Sequence, residues 1–203
     1  FLFIDDGSMD GTLKIIKKIK KSNKNKVFVI ERQNRKGLGK AHKDGLLWAY
    51  KRKYFYLITM DTDFAHNPKY IPQLIKRTHK ADLIVGSRYL KKKSTPDWSL
   101  FRIFLSQSAH LMSYLLFNHT FDSTNAFRCY NLKKINKNFI SYCKSNDYDF
   151  LFTSLTILNI KKYKIITLTW LAISCASNHP RREETYPGCC RLVKHKMILN
   201  TTM

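Results

Sequence analysis

The chain has 203 residues, the length of one domain with a sizeable core, or of one domain and a tail. Its hydrophobic fraction of 44% excludes global disorder. Lys and Arg number 37 against 14 Asp and Glu, a net charge of +23 that favours phosphates, nucleic acid or an anionic membrane surface as partners.

Much of the excess lies in short Lys runs (Lys17-Lys18, Lys20-Lys21, Lys91-Lys92-Lys93, Lys161-Lys162), which equally describe solvated helix faces. The cysteines are Cys129, Cys143, Cys175, Cys189 and Cys190, with no C-x-x-C pair. Neither a disulfide framework nor a zinc site is indicated, and a reducing, cytoplasmic setting is expected. The uncharged stretch 103–117 and the mostly apolar stretch 165–176 are both short for a membrane span and carry polar residues. The chain opens inside an apolar run, Phe1-Leu2-Phe3-Ile4, without a Met. That run reads as a strand already under way, so N-terminal residues are expected before it.

Taken in chain order, strand-like and helix-like runs alternate. Strands are expected at 1–4, 27–30, 54–60, 83–86, 126–130 and 163–171, and helices at 12–21, 38–51, 69–79, 100–117 and 150–160. In the first helix Leu13, Ile16 and Ile19 form an apolar stripe with a Lys-rich back. Such alternation argues an α/β fold, a mostly parallel sheet flanked by helices on both faces. A single domain is expected over 1–175, followed by an irregular basic tail at 176–203.

Chemistry-bearing residues follow the strands. The first strand leads into Asp5-Asp6-Gly7-Ser8-Met9-Asp10-Gly11-Thr12, where the glycines permit a tight turn and Asp10 or Thr12 can cap the next helix. A carboxylate here would face a nucleotide base or ribose, because open α/β sheets bind ligands beyond the carboxyl ends of their strands. The second strand leads to Asn34-Arg35-Lys36-Gly37-Leu38-Gly39-Lys40-Ala41, a Gly-rich loop opening a helix. Its backbone N–H groups, from Gly37 on, can meet phosphate, although the spacing is neither that of a P-loop nor G-x-G-x-x-G.

The third strand ends in Met60-Asp61-Thr62-Asp63, followed by His66 and Pro68. Paired carboxylates at a strand end are hard oxygen ligands for Mg²⁺ or Mn²⁺ on a diphosphate. His66 alone reads as a surface or helix-capping residue. Gly86-Ser87-Arg88-Tyr89 follows the fourth strand, with Trp98, Arg102 and Ser106 beyond it. Arg88 and Arg102 would be fixed cations suited to phosphate, with surface salt bridging as the alternative for either one alone. Asp122-Ser123-Thr124-Asn125-Ala126-Phe127-Arg128 is a turn leading into the fifth strand.

In this order, D-D-G-S-x-D-G-T, G-L-G-x-A, M-D-x-D with H-x-P, G-S-R-Y, W-x-x-x-R and D-x-T-x-x-F-R resemble the dolichol-phosphate mannosyltransferase group of family-2 glycosyltransferases, over residues 1 to about 135. The resemblance implies a GT-A, Rossmann-like fold with one Asp-x-Asp metal site. It also implies a metal-dependent inverting hexosyltransferase. Mannose or glucose would move from GDP-mannose or UDP-glucose to a polyprenyl (dolichyl or undecaprenyl) phosphate, peripherally on the cytosolic membrane face.

Carried over by position, Asp6 or Asp5 would face the nucleotide. Asp61 would contact the ribose or the metal shell, and Asp63 would ligate Mg²⁺ or Mn²⁺. Arg88, Arg102 and Ser106 would hold phosphate groups of donor and acceptor. The sequence departs from the family pattern in lacking the P-x-Y-N-E-type opening segment, in Met9, and in Asn125-Ala126 where Ser-Gly is usual. Leu151 and Thr153 stand in place of Gln and Glu, and no R-x-x-G-x-S-K element is recognisable.

Two other readings remain open. In a family-2 transferase with a sugar or lipid hydroxyl acceptor, Asp122 would be the candidate base. An inactive fragment or a basic protein binding RNA or an anionic membrane would explain the charge, but no RNP-like, KH-like or zinc pattern accompanies it. The stretch 103–117 is expected as a core helix, with a membrane-interface helix as the second choice.

Overall fold

The computed structural model describes residues 1–33, 37–62, 66–87, 122–169 and 197–201, and positions 104, 107, 108, 111, 112, 114 and 115. Short apolar, β-branched runs bounded by turn residues form the strands β1 (Leu2–Asp5), β2 (Phe28–Glu31), β3 (Tyr56–Met60), β4 (Leu83–Ser87), β5 (Arg128–Asn131), β6 (Ile165–Thr169) and β7 (Met197–Thr201). Longer runs with helical spacing form α1 (Thr12–Ser22), α2 (Leu38–Lys51), α3 (Ile71–Arg77), the short α4 (Phe139–Tyr142) and α5 (Asp149–Ile160), with a 3₁₀ turn at Pro68–Tyr70 ahead of α3.

Among the described residues the strands make one sheet of order β2-β1-β7-β3-β5-β4-β6. β1 pairs parallel with β2, and β4 with β6. The pairs β1–β7, β3–β7, β3–β5 and β4–β5 are antiparallel. It follows that β1, β2, β3, β4 and β6 point one way, and β5 and β7 the other. The expected mostly parallel sheet holds for strand direction, whereas most neighbouring pairs are antiparallel.

The tail expectation needs correcting. Residues 197–201 are not irregular: as β7 they sit between β1 and β3, with Ile198 opposite both Leu2 and Thr59. The short run Met197-Ile198-Leu199 does not by itself show which strands will take it as a partner.

Alternation along the strands builds two cores. Leu57 of β3, Leu83 and Val85 of β4 and Tyr130 of β5 pack with Leu38, Ala41, Leu46 and Ala49 of α2 and with Phe150, Leu151, Leu155 and Leu158 of α5. On the opposite face Ile58 and Met60, Ile84 and Cys129 pack with Leu74 of α3, Phe127 and Leu168. The period of two sends neighbouring residues to opposite faces. At the other end α1 buries Ile16, while Ile15 and Ile19 stay exposed.

The strand directions place the ends of β1, β3 and β4 and the beginning of β5 on one edge of the sheet. Asp5 and Asp6, Asp61, Ser87 and the segment 122–127 therefore share that edge.

Candidate functional site

At the end of β1 the two acids divide their work. The Asp5 carboxylate is 3% exposed, and its Oδ2 accepts the N–H groups of Gly7 and Ser8, both at 3.0 Å. It thereby fixes the turn, which Gly7 completes with φ of 73°. Asp6 is buried against Arg32, whose Nε and Nη2 both converge on Asp6 Oδ1. Oδ2 of Asp6 is buried and, among the described residues, accepts no hydrogen bond. Arg32 also reaches Asp44 Oδ2 on α2 at 3.4 Å and donates to the Gly37 carbonyl at 3.3 Å. One guanidinium thus ties the end of β1 to the start of α2. Asp5 Oδ2 and Asp6 Oδ1 are thus both engaged by the protein itself.

Gly37 and Gly39 lie where α2 meets the segment before α5. A Cβ on Gly37 would come within 2.4 Å of the Asn146 carbonyl oxygen, and one on Gly39 within 2.6 Å of Phe150 Cβ. Gly37 also has φ of 80°. The N–H of Lys40 donates to Asn146 O at 2.9 Å, and that of Ala41 to Gly37 O at 3.3 Å. These glycines let two backbones approach closely, and two of the helix's opening N–H groups are bound by protein carbonyls.

Asp61 leaves the end of β3 with its side chain about one third exposed. Its backbone N–H donates to His66 Nδ1 at 2.8 Å. His66 is 5% exposed and stacks on Phe127, the ring centroids 5.2 Å apart. The expectation of a surface histidine is therefore overturned: the ring is held inside by the aromatic stack. Helix capping falls to its neighbour Asn67, whose side chain accepts the Lys69 N–H ahead of the 3₁₀ turn that Pro68 opens.

Asp122 is 1% exposed at the same edge, and the Thr124 hydroxyl donates to its Oδ1 at 3.4 Å. Asn125 donates to the Gly86 carbonyl at 2.9 Å and accepts the Phe127 N–H at 2.8 Å. The Thr59 hydroxyl donates to Ala126 O at 2.6 Å. Arg128, fully buried, donates to the carbonyls of Asn125, Ser123 and Leu151 at 2.7, 2.8 and 2.8 Å, and to Ser154 Oγ at 3.1 Å. This cation is a structural staple between the 122–127 segment and α5.

A scan against protein-family models matches residues 1–141 to Glycosyl transferase family 2. The chain belongs to that family. Among curated family-2 relatives it is 32% identical over 175 residues to polyprenol monophosphomannose synthase of Mycolicibacterium smegmatis, covering 85% of this chain and 61% of that protein. It is 29% identical over 150 residues to undecaprenyl-phosphate mannosyltransferase of Micrococcus luteus, covering 73% of this chain and again 61% of the relative. The chain thus spans about three fifths of the length of the curated relatives it matches.

For the family-2 site, the structure brings Asp5, Asp6, Gly37, Asp61 and Asp122 to the ligand edge. Asp63, Arg88, Arg102 and Ser106 lie outside the described residues. Three contributors escape a reading of the sequence. Arg32 carries no motif signal, since it follows β2 and meets Asp6 only through strand pairing. His66 and Arg128 belong to the quoted motifs, but their roles are packing-dependent. Among the described residues no group of three or more His, Cys, Asp or Glu stands ready to hold a metal alone. An Asp-x-Asp pair sharing an ion with diphosphate oxygens needs no such group.

At 104, 107, 108, 111, 112, 114 and 115 the chain is helical. The core-helix expectation for 103–117 fails there, for Phe104, Leu111, Met112, Tyr114 and Leu115 are all exposed. An uncharged sequence does not distinguish a core face from one turned outward. Among the described residues no helix is long and apolar enough to cross a membrane.

Proposed function

We propose that this chain is the catalytic part of a metal-dependent, inverting hexosyltransferase. Mannose or glucose is moved from GDP-mannose or UDP-glucose to a polyprenyl phosphate at an anionic, cytosolic membrane face. The observation that carries this reading is the convergence of Asp6 and Asp61 on the carboxyl edge of the sheet. Asp6 has a buried oxygen without a hydrogen-bond partner among the described residues, and the backbone of Asp61 is fixed by His66. Relatives named for polyprenol-phosphate and undecaprenyl-phosphate mannose transfer support it.

Asp6 or its neighbour Asp5 would face the nucleotide, Asp6 Oδ1 being taken by Arg32. Asp61 and Asp63 would hold Mg²⁺ or Mn²⁺, an ion that neutralises charge developing on the leaving diphosphate. A phosphate monoester has its second pKa at about 6, so the acceptor is largely ionised at neutral pH. An acceptor oxygen attacks the anomeric carbon from the face opposite the donor phosphate. The new C–O bond forms as the bond to the nucleoside diphosphate breaks, and the diphosphate leaves with that electron pair. Such an acceptor needs cations to place it, the role assigned to Arg88 and Arg102 with Ser106, more than it needs a base.

The hydroxyl-acceptor alternative requires Asp122 as base. Its near-complete burial and its bond from Thr124 favour a structural role. Asp122→Asn should therefore leave transfer to polyprenyl phosphate within a few-fold of wild type; abolition of turnover would support the alternative. The exposed apolar positions between 104 and 115 fit contact with a bilayer surface. Absence of flotation with anionic liposomes would count against that placement. The donor reading is tested by calorimetry with GDP-mannose and UDP-glucose, with Mn²⁺ and with chelator, beside Asp63→Ala. Metal-dependent binding of one donor, lost in the variant, is expected. Equal binding by the variant would overturn it.

A further inference from the structure

We infer that His66 is a positioning residue for Asp61, acting through the Asp61 backbone; the inference rests on the transferase reading above. The Asp61 N–H donates to His66 Nδ1 at 2.8 Å, and Asp61 Oδ2 stands 3.7 Å from the same nitrogen. A ring nitrogen that accepts an N–H carries no proton, so the imidazole proton sits on Nε2. The ring is anchored by its stack on Phe127, with planes 16° apart. Phe127 is itself fully buried, and its carbonyl accepts the Gly86 N–H at 2.8 Å. Immediately after His66, the Asn67 cap and Pro68 hold the chain in the 3₁₀ turn.

Asp61 directly follows the β3 ladder, and His66 is fixed by its aromatic stack and the capped turn after it. The bond from Asp61 N–H to Nδ1 joins these two residues. With Nδ1 engaged by backbone, His66 contributes orientation of the first carboxylate. Groups that orient metal ligands from behind are typically worth about ten- to a hundredfold in metal affinity.

Three substitutions separate the contributions. His66→Phe keeps a ring over Phe127 but removes the acceptor. His66→Asn keeps an acceptor oxygen close to the Nδ1 position but removes the ring. Phe127→Leu loosens the stack and leaves the acceptor. Mn²⁺ binding to the protein with GDP or UDP present is read by electron paramagnetic resonance, and folding by thermal melting.

His66→Phe should weaken Mn²⁺ binding about tenfold or more, and His66→Asn should recover most of it. Phe127→Leu should lower the melting temperature and leave Mn²⁺ affinity near wild type. Wild-type affinity in His66→Phe, with affinity lost in Asp61→Asn, would overturn the role of His66 alone. Equal loss in Phe127→Leu and His66→Phe would reduce His66 to general packing. No Mn²⁺ binding by wild type with either nucleotide, or unchanged binding in Asp61→Asn, would remove the transferase reading and this inference with it.

Discussion

Arg32 binds Asp6 through one carboxylate oxygen only, leaving Oδ2 buried and, among the described residues, without a hydrogen bond. The ion pair keeps a negative charge inside the sheet edge, where an unpaired one would be expelled or neutralised. Arg32→Met should destabilise the protein by about 3–5 kcal/mol, because it strands a buried charge. The double change Arg32→Met with Asp6→Asn should recover part of that loss. Urea unfolding of these two variants beside wild type checks both statements. A double variant no more stable than Arg32→Met would show that Arg32 acts mainly through Asp44 and Gly37.

Arg128 makes the opposite kind of buried site, one cation surrounded by neutral acceptors. Arg128→Met removes donors from the Asn125, Ser123 and Leu151 carbonyls, each loss costing about 1–3 kcal/mol when the oxygen stays buried. A total of about 3 kcal/mol or more is expected by denaturant unfolding. Arg128→Lys should rescue little, because a single ammonium cannot span a planar fork of acceptors.

How far the sequence speaks is clear from these two arginines. Asp6 and Asp61 are placed at one sheet edge by pattern alone, since each follows an apolar strand directly. The partner of Asp6 is not, because Arg32 lies 26 residues away and arrives only when β1 and β2 pair in the register Asp5 with Glu31. Strand β7 was hidden for the same reason, as pairing partners are tertiary facts. Gly37 and Gly39 read as a loop offering N–H groups to phosphate, and the structure shows that they also make room for Asn146, Asp147 and Phe150. His66 was visible in the H-x-P motif, but its burial depends on Phe127, a residue distant in sequence that immediately precedes β5.

Gly39 offers a direct check of that packing. Gly39→Ala would place a methyl 2.6 Å from Phe150 Cβ and from the Asp147 carbonyl oxygen. Neither atom is the tip of a flexible side chain, so the backbones must separate. A loss of about 1–3 kcal/mol is expected, the usual range for overpacking. Unchanged stability would mean that α2 and the 146–150 segment part easily.

Alkaline pH should weaken the fold through two buried thiols. Burial pushes Cys129 up to about 12, and Cys143 up to about 11 for the same reason. The ordinary value is 9.0. Above it the unfolded chain loses protons that the folded chain keeps, so stability falls as pH rises. Their contribution is intact below pH 9.0 and declines from there toward 12. Cys129→Ala and Cys143→Ala should each flatten the stability profile between those limits. In the native protein at pH 8 both thiols should resist alkylation, read by peptide mass mapping.

The most direct test of the central claim is a transfer assay. Radiolabelled GDP-mannose and UDP-glucose are each incubated with the protein, Mn²⁺ and a polyprenyl phosphate in detergent, beside Asp63→Ala. Label carried into the organic phase is then counted. The transferase account predicts lipid-linked label from one donor, dependent on the polyprenyl phosphate and lost with chelator or in Asp63→Ala. Label that forms equally in the variant, or a donor that binds but never transfers to the lipid phosphate, would contradict it.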